Sequence, residues 1–187
     1  MKTTIFTLTA AFTLFFSTVA IAQKVEKPVT NSKIEWEGKK ITGTHEGTIQ
    51  LKEGKLIFEG NTLVGGEFII DMTTINVTDL SGGGKERLEG HLKSDDFFGV
   101  DNHPTSKLVI KSANKTKDGY YINADITIKG TTQPIAFELD VEGNKAEAEL
   151  KIDRTKFDVR YGSGSLFANL GDNTIYDNFE IEIEFTF

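Results

Sequence analysis

Four stretches of the chain alternate apolar and polar residues with a strict period of two, a pattern that suits a half-buried β-strand and misfits a helix. In "YYINADITIK" one face collects Tyr120, Ile122, Ala124, Ile126 and Ile128. In "IAFELDVE" it collects Ile135, Phe137, Leu139 and Val141, and in "KAEAELKID" the smaller set Ala146, Ala148, Leu150 and Ile152. The last, "FEIEIEFTF", puts Phe179, Ile181, Ile183, Phe185 and Phe187 on one side, with Glu180, Glu182, Glu184 and Thr186 on the other. Strands with one dry and one wet face are the components of antiparallel sheet.

Turn pairs follow at short spacing: Glu53-Gly54, Glu59-Gly60-Asn61, Asp118-Gly119, Lys129-Gly130 and Gly143-Asn144. They connect consecutive strands as a meander. Earlier segments alternate less cleanly, with Ile34 and Trp36, Leu56 and Phe58, and Phe68, Ile70 and Met72 as inner sets. With "KITGTHEGTIQL" and "KLVIKS" added, the total is about eight or nine strands. A sheet of this size must close or stack on a second layer. The expected fold is therefore all-β, a closed antiparallel up-and-down barrel of about eight strands, with a short helical segment capping one end.

That segment is "SGGGKERLEGHLKSDDFF", where Leu88, His91 and Leu92 stand at helical spacing. Ser94 reads as the N-cap of one further turn through Phe97. Leu88, Leu92 and one of Phe97 and Phe98 should face inward as a lid, with Asp95 and Asp96 in water. Adjacent aromatics at the end of a turn should diverge, one plugging the barrel and one packing under the next loop.

Residues 1–22 read as a signal peptide: Lys2, an apolar stretch dotted with threonine, and Ala20-Ile21-Ala22 as a small-x-small cleavage pattern before Gln23. The expected product is exported, periplasmic or secreted, without a stable membrane anchor. Residues 23–32 read as a flexible lead and 33–187 as the barrel domain. The chain has no cysteine, so disulfides, thiolate ligands and an acylated N-terminal cysteine are excluded. Losing the leader removes Lys2 and no acid, so the net charge moves from −7 to −8. Such a surface disfavours nucleic acid and anionic headgroups.

"LEGHLKSDDFFGVDNHP" holds His91 and His103 beside Asp95, Asp96 and Asp101, the residue types that bind divalent metals. The histidines stand twelve apart across a turn and a proline, a spacing that argues against shared ligation. His91 shares its helix face with Leu88 and Leu92, which suits a half-buried structural role. His45 lies between Gly43 and Gly47 on a strand; it makes a structural hydrogen bond, meets a ligand's polar end, or faces outward. "YGSGS" lacks the spacing of a nucleophile elbow and "GGGK" that of a phosphate loop. No catalytic residue, metal ligand or cofactor is assigned.

The ordered motifs "GGEFIIDMTTINVTDL", "LEGHLKSDDFFGVDNHPTSKLVI", "ADITIKGTTQPIAFEL" and "DRTKFDVRYGSG" with "IYDNFEIEIEF" resemble the YceI-like family over residues 33–187. The resemblance implies a lipocalin-like barrel around a long apolar channel that carries a polyisoprenoid or other amphiphilic lipid. It also implies that "HLKSDDFF" is the cap at the channel mouth, and that Ile126–Gly130, Thr132 and Pro134 match the family's strand motif. Many relatives carry Arg-Asp ahead of the cap's His-Leu, whereas this chain reads Arg87-Leu88-Glu89-Gly90-His91, so no role of that pair carries over.

The expectation is a non-enzymatic binding protein for a lipid-like molecule, polyisoprenoid or fatty-acyl, with a homodimer left open. Its expected ligand-binding residues are Trp36, His45, Phe58, Phe68, Ile70, His91, Phe97, Phe98, Ile126, Ile128, Phe137 and Leu139. Three alternatives stand beside it: a filled barrel acting in stress response or protein interaction, an outer-membrane barrel with its apolar faces turned to lipid, and a metal-dependent enzyme.

Overall fold

The computed structural model describes residues 23–187. The expected leader lies outside the described residues. Nine strands form one sheet: β1 (Lys24–Pro28), β2 (Asn31–Lys40), β3 (Gly43–Glu59), β4 (Thr62–Val77), β5 (Thr105–Lys115), β6 (Gly119–Ile128), β7 (Thr131–Glu142), β8 (Lys145–Asp153) and β9 (Ile175–Thr186). One helix, α1 (Gly82–Lys93), lies between β4 and β5. Every pairing between strands is antiparallel, each of β3 to β9 pairs with the strand before it, and β9 returns to β2. Eight strands thereby close, and β1 extends the run of β2 along the far half of β3, from Lys24 opposite Glu59 to Pro28 opposite Lys55.

The apolar sets point inward. Ile122, Ala124, Ile126 and Ile128 are buried, and along β9 the glutamates Glu180, Glu182 and Glu184 are exposed. That polarity is the reverse of a barrel that faces lipid, whose exterior must be apolar.

Three local expectations are corrected. Residues 23–32 are not an unstructured lead, because the backbone of β3 beyond the end of β2 offers open hydrogen-bonding groups that Lys24–Pro28 fill, although every side chain of β1 is exposed. Glu53-Gly54 is not a turn: β3 runs through it, bending at register shifts between Thr48 and Gln50 and between Leu51 and Glu53. Gly54 is required there because a Cβ would stand 2.8 Å from the Phe68 ring, a close approach between strands rather than a chain reversal. Ser94 caps the end of α1 rather than starting a new one. Its N–H reaches the Gly90 and His91 carbonyls, and its hydroxyl donates to His91 O at 2.7 Å.

The barrel is not filled evenly. One end is solid, packed by Leu56, Phe58, Leu63, Tyr120, Ile122 and Phe185. There Phe58 stacks on Phe187 at 5.8 Å, with the Lys27 ammonium over both rings. The other end is closed by α1 and the loop that follows, where Met72, Ile75 and Val100 are buried against Leu92 and Phe98. Polar ties hold α1 down: Glu89 accepts from the Val77 N–H at 2.9 Å, and the Lys85 ammonium donates to Asn76 Oδ1 at 2.8 Å. Seven of the eight seams are paired at six or more positions. The eighth is short, with β7 and β8 paired only over Asp140–Glu142 and Lys145–Glu147.

Candidate functional site: an apolar cavity under a helical lid

Between the solid end and the lid lies a cavity of about 190 Å³. It follows β9 from Phe185 to Ile175. Ten residue steps of about 3.3 Å, tilted by about 40° as in closed barrels, give it an axial reach of roughly 25 Å. Its wall is almost wholly hydrocarbon, supplied by alternate residues of the strands and by the underside of the lid. Trp36 turns its polar atom away, donating from Nε1 to Thr48 O at 3.2 Å. Ser106 spends its hydroxyl on the Met72 sulfur at 3.1 Å. Such a wall offers a long molecule dispersion and desolvation rather than directed bonds.

Nine of the twelve expected residues line this space: Trp36, Phe68, Ile70, Phe97, Phe98, Ile126, Ile128, Phe137 and Leu139. Phe97 and Phe98 both do so, against the expected divergence, because the turn after Ser94 brings the rings edge to face at 5.0 Å and presents both to the interior. Leu92 joins them, while Leu88 is half-buried outside the cavity. Asp95 and Asp96 face solvent.

The other three stand elsewhere. Phe58 belongs to the solid end, stacked on Phe187. His45 is on the inward side of β3 but beyond the cavity, where its Nδ1 meets Asp79 Oδ2 at 2.7 Å and ties β3 to the segment after β4. Burial pushes the Asp79 carboxyl up, yet the bonds from His45 and from the Glu46 N–H outweigh it and hold the group below its ordinary range. His91 packs edge to face on Phe97 at 5.4 Å and on Tyr161 at 4.5 Å, outside the cavity wall. Its Nε2 is buried without a hydrogen-bond partner. Among the described residues, no three histidine, aspartate or glutamate side chains converge as a metal site would require.

Phe179, Ile181 and Ile183 also line the wall, and the alternation of β9 that orients Phe185 orients them too. Arg154 lines it as well, only 2% exposed, and no pattern in "DRTKFDV" distinguishes it from an ordinary surface arginine. Its Nε donates to Tyr176 O at 3.1 Å, Nη1 to Val159 O at 2.8 Å and Nη2 to Ile175 O at 3.1 Å. Asp177 Oδ1 stands 3.7 Å away, and the Phe97 ring lies under the guanidinium. Burial lowers the guanidinium pKa, and Asp177 and Asp153 oppose that shift; a group this basic stays charged at neutral pH. Arg154 thus staples the connection from β8 to β9 onto β9 at the rim of the cavity.

A closed eight-stranded antiparallel barrel, solid at one end and hollow beneath a helical lid, defines the class of lipocalin-like barrels. The YceI-like domain family model matches residues 25–187, and the chain belongs to that family. Protein YceI of Escherichia coli is 32% identical over 101 residues, 49% of this chain and 52% of that protein. The chain thus spans about half the length of the YceI relatives it matches. Two solved structures share the fold: Burkholderia cenocepacia BcnA, with a TM-score of 0.60 at 18% identity over 82% of this chain and 94% of that one, and a polyisoprenoid binding domain from Saccharophagus degradans, with 0.61 at 12% identity over 87% and 97%.

Proposed function

We propose that this protein is a non-enzymatic exported binding protein that encloses one long apolar or amphiphilic molecule, a polyisoprenoid or fatty-acyl lipid, inside its barrel. The observation that carries the reading is the cavity itself, long, hydrocarbon-walled and lidded. Each enclosed CH₂ contributes about 0.8 kcal/mol, so a slender chain needs no directed bond to be held. The fold shared with a polyisoprenoid binding domain supports the same ligand class. A non-catalytic role is supported by the wall, where the buried hydroxyl of Ser106 is bonded to a thioether rather than to a base. Export is supported by the leader-like residues 1–22, which predict a product beginning at Gln23.

Native mass spectrometry of the purified protein, followed by lipid extraction, tests the reading. The expected result is an adduct of defined mass that partitions into organic solvent and is identified as an isoprenoid or acyl lipid. A dry interior that also refuses such lipids on titration would overturn it. N-terminal sequencing of the product checks cleavage, and fractionation checks release to the periplasm or medium.

A further inference from the structure

A guest reaches an enclosed cavity only where the wall parts, and one stretch of this wall carries no ladder. β7 and β8 pair at Asp140–Glu142 and Lys145–Glu147; among the described residues their pairing ends there, leaving Pro134–Leu139 on one side and Ala148–Asp153 on the other. At about 3.3 Å per residue the gap is about 20 Å long. Pro134 suits it, since proline lacks the N–H of a ladder and belongs at sheet edges. At the far end the Gln133 side chain ties β7 to the segment after β8, its Nε2 donating to Lys156 O at 3.3 Å. Behind the gap stand Phe137, Leu139, Ala148, Leu150 and Ile152, all of them cavity wall.

The wall is also thin here. A hollow on the outer surface is bordered by Ala148 and Ile183, two residues that line the cavity as well. Ala148 is half-buried and sets only a methyl group between the two spaces. Other ways in are better shut: the remaining seams are paired at six or more positions, and the lid is held by Glu89, by Lys85 and by Leu92 and Phe98 packed on Met72, Ile75 and Val100.

Glu138, Asp140, Glu147, Glu149, Glu182 and Glu184 ring the hollow. Asp140 stands directly opposite Glu147, and like charges facing each other across a ladder weaken it. Lys145 bridges Glu147 and Glu184, while Lys33 and Lys151 pair with Glu35 and Glu180 beside the ring. With all three ammonium groups counted wholly to the ring, its charge is still −3. A phosphate or carboxylate approaching this mouth is repelled, whereas an uncharged head is not.

Resting on the carrier reading above, we infer that the guest enters and leaves sideways through the gap between β7 and β8, and that the carboxylates at its mouth select a long apolar molecule with an uncharged head over one with an anionic head.

Trp36, the only tryptophan, lines the cavity, so its fluorescence reports filling. The probes are geranylgeraniol and geranylgeranyl monophosphate, which share one chain and differ in head charge. Delipidated wild type should bind the alcohol about tenfold more tightly, an advantage that shrinks in about 0.5 M salt. The chain has no cysteine, so Glu138→Cys with Glu149→Cys, the next positions to face each other in the register of Asp140 and Glu147, can be bridged selectively by oxidation or by a short bismaleimide. Bridging should slow uptake and release of the alcohol by about tenfold or more relative to the unbridged variant, with the equilibrium affinity nearly unchanged. Ser112→Cys with Asn123→Cys, across the paired seam of β5 and β6 where the side chains meet at 3.2 Å, should keep the wild-type rates when bridged. Uptake by the bridged Glu138/Glu149 variant at the unbridged rate, or binding of the phosphate as tightly as the alcohol, would overturn the inference while leaving the carrier reading in place. Wild type that takes up neither probe would instead count against the carrier reading itself, and the portal would fall with it.

Discussion

Filling the cavity from within should make the protein more stable and less able to hold the lipid-like guest proposed above. At about 24 cal/mol per Å³ of unfilled volume, an empty cavity of about 190 Å³ costs about 4.5 kcal/mol. That is a large share of the 5–15 kcal/mol typical of folded domains. Ala148 is a small side chain on the wall, paired with Ile183 across β8 and β9. Ala148→Phe would project a ring into the space and bury it there, contributing about 2 kcal/mol. For a domain of this size that corresponds to a rise of about 4–8 °C in melting temperature. The assay is urea unfolding of delipidated wild type and variant, read as a shift in midpoint at unchanged slope. Native mass spectra should show the adduct falling in parallel. A variant destabilised by more than about 1 kcal/mol that still carries its ligand would show that the free volume does not lie beside Ala148.

Three further outcomes follow from the same geometry. Arg154→Met removes the side-chain donor of three backbone carbonyls and the cation beside the Asp177 carboxylate, and should cost about 3–5 kcal/mol in urea unfolding; a loss below about 1 kcal/mol would mean the guanidinium is dispensable. His91→Phe keeps the packing on Phe97 and Tyr161 while removing a buried nitrogen without a partner, so stability should rise by about 1 kcal/mol; a comparable fall would show that the nitrogen is bonded in solution. The carboxyls of Asp71, Asp79 and Asp177 are held below their ordinary values. Asp71 is lowered mainly by the Thr73 hydroxyl, whereas for Asp177 burial acts upward and is outweighed by Ser163, Ser165 and Arg154. Groups depressed in the folded state add stability above their unfolded pKa and lose it as pH falls through the folded value. Unfolding free energy should therefore hold from neutrality to about pH 5 and decline below about pH 4, and Asp79→Asn should shallow that decline.

The barrel was legible wherever a strand has one wet and one dry face. From Tyr120 to Ile128 and from Phe179 to Phe185, alternation alone orients each side chain, and the cavity wall follows from it. It fails where two strands approach closely, since Gly54 has the composition of a turn but serves as clearance for Phe68. Nor does it cover a segment such as Lys24–Pro28, whose pairing uses backbone groups while its side chains stay in water. The lid was recognisable from the spacing of Leu88, His91 and Leu92. The inward turn of both phenylalanines depends on the backbone after Ser94, which no spacing rule reaches. Arg154 was invisible because its partners are carbonyls, which every residue type possesses, and its burial is created by the connection it pins.

The short seam between β7 and β8 gives the barrel one compliant direction. Parting these strands breaks pairing at three positions, whereas every other seam must yield at six or more. Under load from a guest thicker than the resting bore, strain therefore concentrates along this line. If the proposed guest is wider than the resting bore, this one slit is where the barrel is expected to widen, while the seams paired at six or more positions keep the rest of the wall in shape.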